Sequence, residues 1–201
     1  MFTHLTRLAT IAVASLALAG CGINSVPAAE EAAKAKWANV EAAFQARANL
    51  MGNLEEIAMG SSEEERETLQ GVIEARASAT RPEIQMSAED LNNPQAMAAF
   101  QNAQGQFGSA LGRLMVTVEQ YPNLQSQANF GRLMIQVEGI ENRIRVAIND
   151  YNESVRVYNT TIRTFPDTIG ANIIHGAEPM VPYAAVTEGA EVAPTLDMRG
   201  E

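Results

Sequence analysis

Between residues 119 and 166 the chain carries a seam with alternating spacings of four and three: Val137, Glu141, Ile144, Ile148, Tyr151, Val155, Tyr158, Ile162 and Phe165. Eight of these nine positions are apolar or aromatic, and the exception is Glu141. A helix with 3.6 residues per turn puts all nine on one face. The stretch is therefore predicted to be a helix of about 40 residues, roughly 60 Å long, packed lengthwise on others. The segments upstream read as the shorter helices that would cover it.

Residues 28–59 form the first of these, with Trp37, Val40, Phe44, Arg47, Met51, Leu54 and Ala58 on one stripe. Gly60-Ser61-Ser62 interrupts it, and Ser62 with Glu65 three residues on is a capping-box signature. A second helix over 62–80 follows, with Leu69, Val72, Arg76 and Ala79 inward, and Arg81-Pro82 stops it. After a loop over 82–93, Pro94 suits the first turn of a third helix. Its stripe is Met97, Phe100, Gln104, Phe107, Leu111, Leu114, Val118 and Tyr121. Gly105, Gly108 and Gly112 lie inside it. Each costs about 1 kcal/mol relative to alanine, and close approach of a neighbouring backbone is the expected compensation. Tyr121-Pro122-Asn123 turns the corner into the long helix. The fold class expected is all-α, an elongated antiparallel four-helix bundle over 28–166. Only 5% of residues are aromatic, which suits closely packed helices. Past Phe165-Pro166 the helical period is lost. Over 167–184, Ile169, Ile173, Ile174, Met180, Val181 and Tyr183 are expected to lie against the bundle, and 185–201 to be disordered.

The chain's net charge of −10 argues against nucleic acid and against adhesion to anionic lipid through a basic patch. Attachment to a membrane has another source. Residues 1–20 hold one basic side chain, Arg7, and an apolar run over 8–18 that is short for a bilayer span. They end Leu18-Ala19-Gly20 before Cys21, the only cysteine of the chain. This looks like a bacterial lipobox: 1–20 a lipoprotein signal peptide, Cys21 the lipidated residue, and 21–27 a turn-rich tether. Diacylglycerol on the thiol, with an acyl chain such as palmitate on the freed amine, would anchor firmly, since one chain alone is marginal. Gly22 after the cysteine directs such a protein, in a diderm host, to the outer membrane facing the periplasm.

The motif set of 121–130 (YPNLQSQANF), 138–144 (EGIENRI), Tyr151-Asn152, Tyr158-Asn159 and Phe165-Pro166 resembles the LemA family. Trp37, Gln45, Arg47, Leu50, Asn53, Leu54, Leu69, Glu74, Ala75 and Arg76 agree with it. Departures stand at Ala46, Asn49, Gly52, Ile140, Asn149 and Asp150. The resemblance implies a helical bundle held at a bacterial membrane, often encoded near TPM-domain membrane proteins. It implies no catalytic residues.

Chemistry is sparse. Apart from Cys21 the chain has no thiol, and past residue 20 its one histidine is His175, expected in a solvated loop. No cofactor is expected beyond the lipid on Cys21. Glu138 and Glu141, with Glu74, could share a metal, but no Glu-x-x-His pair accompanies them. Three charges on inner stripes, Arg47, Arg76 and Glu141, form a candidate buried network that would set register; the alternative is that each snorkels to the rim. Asn142 and Asn149, and Asn152 and Asn159, repeat at seven residues beside Tyr151 and Tyr158. They would bond between helices or, with the two tyrosines, line a groove for a peptide or a partner helix. The functional expectation is a lipid-anchored, non-enzymatic scaffold or binding module of the cell envelope. The alternatives are a metal-dependent hydrolase using the glutamates, or a regulatory subunit of a membrane protease or transporter.

Overall fold

A computed structural model of the chain describes residues 21–59, 62–117 and 128–184. Among them the chain is all-α, with no strand. Helix α1 spans Cys21–Met59, α2 Glu63–Ala79, α3 Pro94–Thr117 and α4 Ala128–Thr161. Two single 3₁₀ turns, Pro82–Ile84 and Ala88–Asp90, fill the connection between α2 and α3. Helix α1 ends at Met59, α2 begins at Glu63 and Ser62 before it is not helical; Gly60 and Ser61, on which the expected break also rests, lie outside the described residues. The signal segment 1–20, the 121–123 corner, Val118, Tyr121 and residues 185–201 lie outside the described residues.

The seams account for the packing. Trp37, Val40, Phe44, Arg47, Met51 and Leu54 of α1 are all buried, as are Met97, Phe100, Gln104, Phe107, Leu111 and Leu114 of α3. On α4 the seam is buried at Val137, Ile144, Tyr151, Val155, Tyr158 and, just past the helix, Ile162. The long helix ends at Thr161, earlier than expected, and Phe165 is exposed. Past Thr161 the chain turns into α5 (Asp167–Gly170) and a π-helical turn over Ala171–His175.

The apolar interior divides in two. One core joins Met51 and Leu54, Leu69 and Val72, Phe107 to Leu114, and Phe130 to Val137, with all four long helices contributing. The other joins Trp37, Phe44, Phe100, Ile144, Tyr151 and Tyr158. Successive helices therefore run antiparallel, and α1 is central, packing along α4 on one side and α2 on the other. With 17 residues, α2 is about 26 Å long against about 58 Å for the 39 residues of α1. It reaches only the first core. The second is completed by irregular chain: Met86 and Leu91 from the connection between α2 and α3, and Met180 from the C-terminal segment.

Residues 21–27 depart from the expected tether. They are helical, with Pro27 inside α1. Burial of Val26 and Ala33 against the second core offsets the local preference for turn. Burial also corrects the tail. Met180 is buried and Val181 and Tyr183 half-buried, whereas Ile169, Ile173 and Ile174 face outward.

Candidate functional site

Where the two cores meet, the seams of α1, α3 and α4 each supply a polar residue at one level: Arg47, Gln104 and Glu141. Arg47 is 3% exposed. Its Nη1 donates to Glu141 Oε1 at 3.1 Å, and its Nη2 donates to the Gln104 side-chain oxygen at 2.6 Å and main-chain oxygen at 3.1 Å. Gln104 Nε2 donates onward to the Ala79 carbonyl at the end of α2. The guanidinium lies over Phe44 and Phe107, 5.0 and 4.6 Å from the ring centroids, an arrangement that favours the cation. Among the described residues its Nε has no hydrogen-bond partner. Burial pulls the Arg47 pKa below the ordinary arginine value, and the Glu141 carboxylate pushes it back.

Of the three seam charges, the structure joins Arg47 and Glu141. Arg76 is half-buried on α2, where its Nε donates to the Ala48 carbonyl at 2.8 Å and its guanidinium covers Gly52. Gly108 and Gly112 of α3 are not sites of backbone approach as expected. A Cβ on Gly108 would meet the Arg47 guanidinium at an ordinary 3.6 Å, and one on Gly112 would meet open space. Gly108 therefore leaves room for a side chain.

Above this layer α3 and α4 do not close on one another. An open cleft of about 1050 Å³ separates them, with Arg47, Gln104 and Glu141 at its base, Glu74 and Arg113 on its walls and Tyr183 at its side. Two carboxylates of the metal reading, Glu74 and Glu141, line it, but Glu138 is exposed on α4 and outside it. Among the described residues no group of three or more His, Cys, Asp or Glu is placed to hold a metal. His175 is exposed in the π-helical turn.

The paired asparagines have different fates. Asn142 and Asn149 are exposed, and Asn142 accepts a hydrogen bond from Arg145. Asn152 and Asn159 grip the chain's own C-terminal segment. Gly176, in the left-handed region at φ 55°, ends the π-helical turn and releases residues 177–184 as an extended strap. Asn159 accepts from the Met180 N–H and donates to the Met180 carbonyl, at 2.9 and 2.8 Å. Asn152 does the same with Tyr183, both at 2.8 Å. Each side-chain amide thus pairs with one strap residue as a neighbouring strand would. The register follows from geometry: seven helical residues rise about 10.5 Å, and three extended residues span about 10 Å. Tyr151 and Tyr158 add hydroxyl hydrogen bonds to the carbonyls of Val181 and Glu178. Of the six residues of the candidate groove, Tyr151, Asn152, Tyr158 and Asn159 hold the strap and Asn142 and Asn149 do not; the strap itself was missed, because an irregular segment has no periodicity. The usable signal was Met180 and Tyr183, spaced three apart to match asparagines spaced seven apart.

Asn159→Ala is expected to lower stability by about 1–2 kcal/mol, since it leaves both polar groups of Met180 without that partner. Amide exchange at Met180 should accelerate roughly tenfold or more; an unchanged rate would mean the clamp does not hold the strap. Burial also raises the pKa of Tyr151, Tyr158 and Tyr183, that of Tyr183 to about 12. An unfolded chain releases tyrosine protons near pH 10, while the folded chain keeps them. The stability that these phenols contribute is then complete below about pH 10 and is lost as pH rises toward about 12. Urea midpoints should fall across that window, with tyrosinate absorbance appearing together with unfolding. Tyrosinate forming near pH 10 in the folded protein would contradict it.

Fold and site together define a class: an all-α bundle with a buried polar layer, clasped by its own C-terminal strap and open between α3 and α4. Residues 36–197 match the LemA family, and the chain belongs to that family. It is similar to the magnetosome protein MamQ 2 of Paramagnetospirillum magneticum, 30% identical over 157 residues, covering 71% of this chain and 58% of the relative. It is also similar to magnetosome protein MamQ of Magnetospirillum gryphiswaldense, 31% identical over 150 residues, covering 68% of this chain and 55% of the relative. The chain thus matches little more than half the length of these relatives.

Proposed function

We propose that this chain is a non-enzymatic binding module or scaffold of the bacterial cell envelope, held to the membrane by lipid on Cys21. The observation that carries the binding role is the open cleft between α3 and α4. It is large enough for a segment of a partner protein, and its polar base is fixed in place by Arg47. Neither the family description nor the relatives' names carry an enzymatic activity. Kinship with magnetosome proteins supports a setting at a bacterial membrane. No described helix is long and apolar enough to cross one. The anchor we favour is the lipobox ending at Cys21. The partner expected is another envelope protein, a TPM-domain membrane protein being the kind the family suggests. In a diderm host the anchored face would be that of the outer membrane.

The test places a photo-crosslinking residue at Asn102 or Gln106, both exposed on the cleft rim, and at Arg145 outside it. Illumination of native membranes should yield one discrete partner from the cleft positions and not from Arg145. Equal yields from all three would remove the cleft as the recognition site. In parallel, Cys21→Ser should release the protein from membranes, and its retention after a carbonate wash would place the anchor elsewhere. A protease or transporter recovered as the partner would favour the regulatory-subunit reading. A stoichiometric transition metal in protein purified without chelator would favour the hydrolase reading.

A further inference from the structure

The turn after α4 exposes four large apolar side chains within ten residues: Phe165 at 73%, Ile169 at 51%, Ile173 at 79% and Ile174 at 58%. The other exposed large apolar side chains are spread over α3 and α4. Ile169 and Ile173 are one helical turn apart and share a face. Gly170 and Ala171, between them, are buried, so the inner side of the turn is packed and the outer side is left apolar. Exposed apolar clusters on this scale mark interaction surfaces.

Its place in the fold indicates the partner. Asp167 accepts a hydrogen bond from Ser25, and α5 packs on the first turns of α1. Cys21 lies four residues before Ser25, about 6 Å along the helix axis. The patch therefore sits at the end of the bundle where α1 begins, close to the lipobox cysteine, Cys21. We propose that Phe165, Ile169, Ile173 and Ile174 dip into the headgroup–acyl boundary of the membrane, as a second, non-covalent contact that stands the bundle up from the lipid surface. The proposal rests on the anchor reading for its location, and on the exposed patch for its chemistry. With a net charge of −10 the protein is repelled by anionic headgroups, so insertion is driven by apolar area and does not need them.

The test uses the full chain purified from membranes and reconstituted in phosphatidylcholine vesicles. An environment-sensitive fluorophore is attached at Ile173→Cys, or at Glu67→Cys on exposed α2 at the far end of the bundle as a control. The expected result is blue-shifted emission from the Ile173→Cys probe, quenched several-fold more strongly by acyl-chain nitroxides than the control. Emission at Ile173→Cys equal to that of the control overturns the proposal. So does a blue-shifted probe that the nitroxides fail to quench, because a protein surface then covers the patch. The mass of the N-terminal peptide reports lipidation separately. An unmodified Cys21 with a quenched Ile173→Cys probe sinks the anchor and keeps the patch; a lipidated Cys21 with an unquenched probe does the reverse.

Discussion

Trp37→Ala is expected to lower the unfolding free energy by about 3–5 kcal/mol, the range for removing a large aromatic from a core that cannot collapse around the gap. Trp37 is fully buried and is the joint of the second core. Phe100 of α3 meets its ring edge-on at 5.5 Å and Tyr151 of α4 at 5.0 Å, so one side chain ties three helices. Because Tyr151 also holds the strap, the loss should propagate: chemical denaturation should show a lower midpoint, and protease should cut the strap earlier than in the parent. A cost under about 1 kcal/mol, closer to that of a surface substitution, would mean that this core is not packed as described.

The second large effect is an asymmetry in the polar layer. Glu141→Ala is expected to cost about 2 kcal/mol, because it leaves Arg47 buried with its compensating charge gone. That is below the 3–5 kcal/mol of a fully buried pair, since Glu141 is 41% exposed and water screens it. Arg47→Met should cost about 1 kcal/mol. The freed carboxylate turns to solvent, methionine refills the space, and the remaining penalty is the Gln104 oxygen left without its donor. In the Arg47→Met background, Glu141→Ala should then cost close to nothing. Urea denaturation of the two singles and the double gives the coupling directly, and an equal cost for Glu141→Ala in both backgrounds would show that the pair does not interact.

How far the chain could be read beforehand depended on whether the physics was local. The stripes of α1, α3 and α4 were legible because one-face burial repeats with the helix itself. Arg47 and Glu141 stood out because a charge on an apolar stripe needs a partner, and each proved to be the other's. Arg76 obeyed the same pattern and was placed elsewhere, since a half-buried arginine can satisfy itself on a carbonyl such as that of Ala48. The helical state of 21–27 depends on Val26 meeting a core assembled from distant chain. The exposure of Ile169 and Ile173 was hidden for a related reason: short apolar runs do not say which side of a turn will be covered. The cleft was invisible because it is a gap between helices, and its size depends on where α3 fails to reach α4.

The shortness of α2 has a consequence for the order in which the molecule can be made. Half of the bundle has no helix for its last wall and borrows residues 178–183 instead. During synthesis those residues emerge from the ribosome after all four long helices. Until they arrive, the backbone partners of Asn152 and Asn159 are missing and the Trp37 core is open on one side. The nascent chain can therefore form helices early but cannot lock them until the strap arrives.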